Sequence, residues 1–163
     1  MSAILDPAQE RFVEHIGLLW EGQGLSRVAG RIVGFLTLQD APRSLDEIAT
    51  ALNVSKGSVS TDARLLQARG LLERTPAPAG DRRDYYLVAP DLPVAVLEER
   101  RRELHGLASA LEAAVALPDT PKAVSSRLKR FCDIYRAVAR QLEQLIAAPA
   151  KAGGTRTTTP RTP

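Results

Sequence analysis

Cysteine is almost missing from this chain: Cys132 is the only one in 163 residues. No intrachain disulfide can close, and with only His15 and His105 beside it the sequence has no ligand set at zinc spacing. No structural metal and no cofactor is therefore expected. Long hydrophobic runs are missing too. The 44% of apolar residues are dispersed, and no stretch approaches the roughly 18 to 20 residues of a membrane span, so no membrane partner is expected. The first residues, Met1 to Pro7, carry neither a basic leader nor an apolar stretch, which points to a cytoplasmic protein. No nucleophile–base pair, carboxylate pair or phosphate-cradling glycine loop occurs at usable spacing, so no catalytic residues are assigned and an enzyme is not expected. Charge of one sign is scarce as well. The net charge is +3, and Lys151, Arg156 and Arg161 account for all of it, so the pI of 9.3 reports a tail rather than the body.

What is present is helical periodicity. Phe12, Ile16 and Leu19, then Leu25, Val28, Ile32 and Phe35, recur every three or four positions and predict two helices parted by Gly22-Gln23-Gly24. Gly30 and Gly34, four apart, predict close approach of a neighbouring backbone. Ser44-Leu45-Asp46-Glu47 reads as a capping box opening a short helix whose inward face is Leu45, Ile48, Ala49 and Leu52. Asn53-Val54-Ser55 is a turn into a second capped helix that ends at Gly70. Segments 71–75 and 84–88, rich in aliphatic and aromatic residues, flank a basic, proline-stiffened loop and predict a two-stranded hairpin. Beyond Pro93, Leu97, Leu104, Leu107, Leu111 and Ala114 mark one long helix. Val124, Leu128, Phe131, Tyr135, Val138, Leu142 and Leu145 mark another with an unbroken seam.

The expected fold is mainly α with a small two-stranded β-hairpin: a winged helix-turn-helix with N-terminal and C-terminal dimerisation helices. The expected divisions are 1–40 for N-terminal helices on the core and dimer interface, 41–90 for the winged helix-turn-helix, 91–148 for a C-terminal helical hairpin that dimerises, and 149–163 for a disordered basic tail.

Segment 44–88 carries the chemistry. On a helix from Ser55 to Arg69, 100° per residue places Val59, Ala63 and Leu66 inward and Gly57, Thr61, Arg64 and Ala68 outward, with Ser60 at the edge. A face of small hydrogen-bonding residues with an arginine one turn on suits a major groove. Thr61 and Arg64 are the candidates for base edges. Ser55, Lys56, Ser58 and Ser60 are candidates for the backbone, beside the free N–H groups of the helix start, and Gly57 completes the DNA-binding set. Ser55 also reads simply as a cap. In the hairpin loop Arg82 and Arg83 are candidates for a minor groove, with Asp81 or Asp84 holding one guanidinium in place. The implied partner is double-stranded DNA read by a homodimer, hence a protein of the nucleoid. The alternative is a winged helix that binds a protein partner without reading sequence, which salt dependence distinguishes.

Gly17-Leu18-Leu19-Trp20-Glu21 with Gly24-Leu25-Ser26-Arg27-Val28-Ala29-Gly30-Arg31-Ile32, then Ser55-Lys56-Gly57-Ser58-Val59-Ser60, then Gly80-Asp81-Arg82-Arg83-Asp84-Tyr85-Tyr86, resemble the GbsR branch of MarR-like transcriptional regulators over about residues 10 to 90. The resemblance implies a bacterial dimeric winged-helix regulator, usually a repressor, that in some cases answers to a small molecule. It also implies that Asp81-Arg82-Arg83 is the wing motif, with Arg83 or Arg82 entering the minor groove. Trp20, Arg27 and Tyr135 are the candidates for an effector pocket. Seven aromatic residues are few for a cage around a quaternary ammonium, and the ligand is left open. Cys132 reads as a small apolar side chain, with a redox switch as the alternative.

Overall fold

Asp6 and Pro7 start the first helix as their chemistry dictates. The Asp6 carboxylate accepts from the N–H groups of Ala8 and Gln9 at 2.8 and 2.9 Å while the Gln9 side chain accepts from the Asp6 N–H at 3.0 Å, and proline fits the first turn, where its missing N–H costs nothing. The computed structural model describes residues 5–77 and 81–148. The expected disordered tail, 149–163, and Pro78 of the hairpin loop lie outside the described residues. Helix α1 (Pro7–Glu21) is followed by α2 (Arg27–Thr37), strand β1 (Arg43–Ser44), α3 (Leu45–Leu52), α4 (Lys56–Ala68), β2 (Leu72–Thr75), β3 (Tyr85–Val88), α5 (Leu92–Val115) and α6 (Lys122–Ala147). The chain divides into two units, one ending at Val96 and one beginning at Leu97.

In the first unit α1 lies against α2 through glycine. A Cβ on Gly30 would stand 2.9 Å from the Cα of Gly17, the carbonyl oxygen of Ile16 and the Cβ of Trp20, and one on Gly34 would stand 3.2 Å from the Cα of Val13. The helices meet backbone to backbone, as the spacing of these glycines predicts. Helix α2 is the centre of the core: Ala29, Ile32, Val33, Phe35 and Leu36 are buried with Val13, Ile48, Leu52, Val59, Ala63, Leu66, Leu72 and Tyr86. Leu92, Ala95 and Val96, at the start of α5, pack on the same cluster.

Ser44 caps α3 in a complete capping box, and Asn53 closes that helix in the left-handed conformation with φ 50°. Ser55 then caps α4, accepting from the Ser58 N–H at 3.1 Å. Gly70 ends this run at φ 73°, the conformation that favours glycine. The hairpin of β2 and β3 is antiparallel, with Arg74 opposite Tyr86 and Leu72 opposite Val88.

A third strand corrects the expected two-stranded sheet. Arg43 and Ser44 pair with Tyr86 and Tyr85, giving the order β1-β3-β2. Two residues are too short to show alternation, and Ser44 serves both as strand end and as helix cap. An isolated hairpin is marginal; here β1 ties it to the start of α3.

In the second unit α6 buries Cys132 and Ala139, and Ala108 is the buried residue of α5. The Cys132 thiol lies 3.5 Å from the Ala108 carbonyl oxygen, and Arg136 pairs with Glu112. The α6 seam is half open: Phe131, Val138 and Leu145 are exposed, whereas Val124, Leu128, Tyr135 and Leu142 are partly covered. Among the described residues no helix is long and apolar enough to cross a membrane, and no cluster of His, Cys, Asp and Glu has the arrangement of a metal site.

Candidate nucleic-acid interface

Helix α4 shows two unlike faces because its apolar residues repeat at helical spacing. Val59, Ala63 and Leu66 are buried without exception, and Gly57, Thr61, Arg64 and Ala68 are exposed on the other side, with Ser58 and Ser60 between. The outer residues hold their side chains close to their own backbone. Thr61 Oγ1 donates to the Gly57 carbonyl at 3.0 Å, and Arg64 donates from Nε to the Ser60 carbonyl at 3.1 Å and from its terminal nitrogen to Ser60 Oγ at 3.3 Å. Around Gly57 the space is open, with Ser55 Oγ, at 3.9 Å from a built Cβ, the nearest atom. At the helix start Lys56 pairs with Asp46 of α3 at 2.8 Å.

The loop between β2 and β3 gives its two arginines different work. Asp81 accepts from the Arg83 N–H at 2.9 Å and from the Arg83 guanidinium at 2.5 to 3.1 Å. Tyr85 donates to Asp81 at 2.9 Å, accepts from Arg83 at 2.9 Å, and offers its ring to the same guanidinium, 5.6 Å from the centroid. Asp84 holds Arg74 instead. Arg82 is exposed and has no partner among the described residues. Of the two aspartates expected to steady an arginine, Asp81 therefore holds Arg83, and Asp84 reaches outside the loop to β2.

Electrostatics follows these contacts. Hydrogen bonds from the Arg83 side chain and backbone hold the Asp81 carboxyl well below the usual carboxylate range. The Arg83 guanidinium is pushed up by the same pair. The Tyr85 hydroxyl is raised, chiefly because it donates to Asp81. Partial burial pushes Glu47 up, but hydrogen bonds from the Ser44 side chain and N–H, with Arg43 nearby, outweigh it and leave its carboxyl lowered. A groove of about 270 Å³ runs between the α4 start and the loop, bounded by Asp46 and Lys56 on one side and Arg82, Arg83 and Asp84 on the other.

Three contacts behind this surface lie outside the expected set. Asp62 of α4 is buried and accepts from Ser26 Oγ at 2.9 Å, and the same oxygen caps α2 by accepting from the Ala29 N–H at 2.9 Å. Arg31 donates to the Leu52 carbonyl at 2.8 Å, at the end of α3, and pairs with Glu14 at 2.6 Å. Tyr85 completes the brace of the loop. A signal for Asp62 was present: positions 59, 62, 63 and 66 form one helical stripe, and a carboxylate inside it demands a partner.

The residues expected at an effector pocket are dispersed in role. Trp20 packs partly buried on the first unit's core, and Arg27 pairs with Glu14 at 2.8 Å. Tyr135 is half-buried on α6 in the second unit.

A family model described as MarR family matches residues 23–84, the span from the α1–α2 junction to the last residue before β3. HTH-type transcriptional regulator MmpR5 of Mycobacterium tuberculosis (strain ATCC 25618 / H37Rv) is 40% identical over 131 residues, covering 79% of this chain and 79% of its own. A solved structure described as a transcriptional regulator is similar with a TM-score of 0.71 at 36% identity, covering 86% of this chain and 96% of that one.

Proposed function

The chain belongs to the MarR family of DNA-binding transcriptional regulators, and from that premise we propose that it is a homodimeric repressor that reads a pseudo-palindromic operator. The observation that carries this reading is the outward face of α4, small and hydrogen-bonding around Gly57 and Thr61, set beside a braced loop that leaves Arg82 exposed. In the proposed complex α4 is the recognition helix in the major groove. Thr61 and Arg64 meet base edges, Arg64 exchanging Ser60 for a base, while Ser55, Lys56, Ser58 and Ser60 meet phosphates. Arg82 enters the minor groove, and Arg83, tied to Asp81 and Tyr85, keeps the wing in shape.

The dimer reading draws on exposed apolar residues, Phe12, Leu18 and Leu19 in the first unit and Phe131, Ile134, Val138 and Leu145 in the second, whose burial between two copies takes apolar surface out of water. On this reading residues 1–40 and 91–148 supply the interface and 41–90 the DNA contacts. The three motifs that resemble the GbsR branch support a place in it. A cytoplasmic, nucleoid-bound protein without catalytic activity fits the same reading. Trp20, Arg27 and Tyr135 are the candidate contacts for a small-molecule effector, and quenching of Trp20 emission on ligand addition is their test.

Selection of bound duplexes from a random pool tests the whole proposal. The expected result is a two-fold motif with half-sites about one helical turn, roughly 34 Å, apart. Recovery of no motif, together with a flat dependence of affinity on salt, overturns it in favour of a protein-binding module.

A further inference from the structure

We propose that Asp62 and Ser26 form a positioning pair that fixes the roll of α4 against α2, so that discrimination between DNA sequences depends on two residues that face away from the DNA. The inference rests on the reading of α4 as the recognition helix.

Apolar burial sets that roll only coarsely. Val59, Ala63 and Leu66 hold α4 on the core, but hydrophobic contact is non-directional. A side-chain tip stands about 6 Å from a helix axis, so a roll of about 10° moves it about 1 Å, enough to spoil a hydrogen bond to a base edge. A directional bond sharpens the angle that side-chain packing sets. Among the described residues Asp62 is the buried charged side chain of the first unit, 8% exposed, and its contact with Ser26 crosses 36 positions of sequence.

The arrangement also explains how a carboxylate is tolerated there. The Ala29 N–H donates to Ser26 Oγ, and the Ser26 hydroxyl donates on to Asp62 Oδ2, each at 2.9 Å. The carboxylate thus faces the start of α2, where the helix dipole favours negative charge. Arg31, one turn further along α2, donates to the Leu52 carbonyl at the end of α3. Helix α2 therefore holds both helices of the motif by directional bonds: α3 at its last turn, α4 in its middle. Asp62 sits directly after Thr61 and two residues before Arg64, so the bond acts at the level of the candidate base contacts.

The test measures the wild type, Asp62→Asn, Asp62→Leu and Ser26→Ala on the duplex recovered by selection and on a scrambled duplex at one salt concentration, with a thermal midpoint for each protein. Asn keeps an acceptor for the Ser26 hydroxyl; Leu and the Ser26→Ala change remove the bond. The expected result is that Asp62→Leu and Ser26→Ala lower the ratio of selected to scrambled affinity about tenfold, the size of one lost base contact. Affinity for the scrambled duplex stays within about twofold, and Asp62→Asn keeps the ratio within about threefold. If Asp62→Leu does not fold, Ser26→Ala carries the comparison by itself. A fall in midpoint with the ratio intact makes the pair a stability element only and overturns the proposal. Failure of the wild type to prefer any duplex overturns the recognition-helix reading and this inference with it, and is recognisable because it precedes any substitution.

Discussion

Arg82 and Arg83 are neighbours in the chain and identical in chemistry, yet Arg83 is bound by Asp81 and Tyr85 while Arg82 stands exposed. Their substitutions should part accordingly. Arg82→Ala is expected to weaken operator binding by about 1 to 3 kcal/mol while leaving the Asp81 titration where it is. Arg83→Ala is expected to weaken binding and also to return the Asp81 carboxyl to the ordinary range near 4, read by carbon NMR. The sign of the pH effect follows from the lowered Asp81 carboxyl. Its folded value lies below its unfolded one, so its contribution is complete above about pH 4 and fades only as pH falls through the folded value. The wing is therefore expected to keep its brace at acidities that protonate ordinary aspartates. In α4, Arg64→Ala is expected to cost about 1 to 3 kcal/mol on the operator and little on scrambled DNA; equal losses on both in a gel-shift titration remove Arg64 from the base-reading set. At this scale the sequence picks out residues that the structure brings to one surface, but it does not divide their contacts. Which of two adjacent arginines an aspartate grips depends on where β3 puts Tyr85, and the burial of Asp62 depends on Ser26, a partner 36 positions away.

Helices were the more legible objects. The capping boxes, the turn at Asn53 and the stop at Gly70 each have a local cause, so Ser44, Ser55 and the inward residues of α3 and α4 follow from spacing alone. Strand β1 does not, since its pairing partner Tyr86 is more than forty positions away and two residues carry no period. The α6 seam predicts helix-to-helix packing, and a single chain leaves half of it exposed; periodicity states that a face wants a partner without saying which. Two glycines give opposite expectations. Gly30→Ala places a methyl 2.9 Å from backbone atoms of α1, and denaturant unfolding should show a loss of about 1 to 3 kcal/mol. Gly57→Ala meets open space on an exposed helix and should gain stability, up to about 1 kcal/mol, while the proposed docking of α4 on DNA predicts that operator affinity falls. Unchanged affinity in the Gly57 variant counts against a close approach of α4 to the duplex.

For the whole molecule, the near-neutral body means that attraction to DNA is local rather than global. The net charge of +3 belongs to the tail, so the slope of log affinity against log salt is expected to reflect the few cations at the α4 start and the wing, about −0.9 for each phosphate neutralised, and to lose roughly one such increment per half-site in Lys56→Ala. A slope unchanged in that variant removes Lys56 from the phosphate contacts. The pairing of Lys56 with Asp46 bears on how such a protein finds its target among random sequence. In the proposed complex a phosphate takes the place of Asp46 at Lys56, so visits to an incorrect stretch of duplex are expected to be brief. Asp46→Asn should accordingly lengthen dwell times on non-target DNA in single-molecule traces, slowing the search even as it tightens the grip.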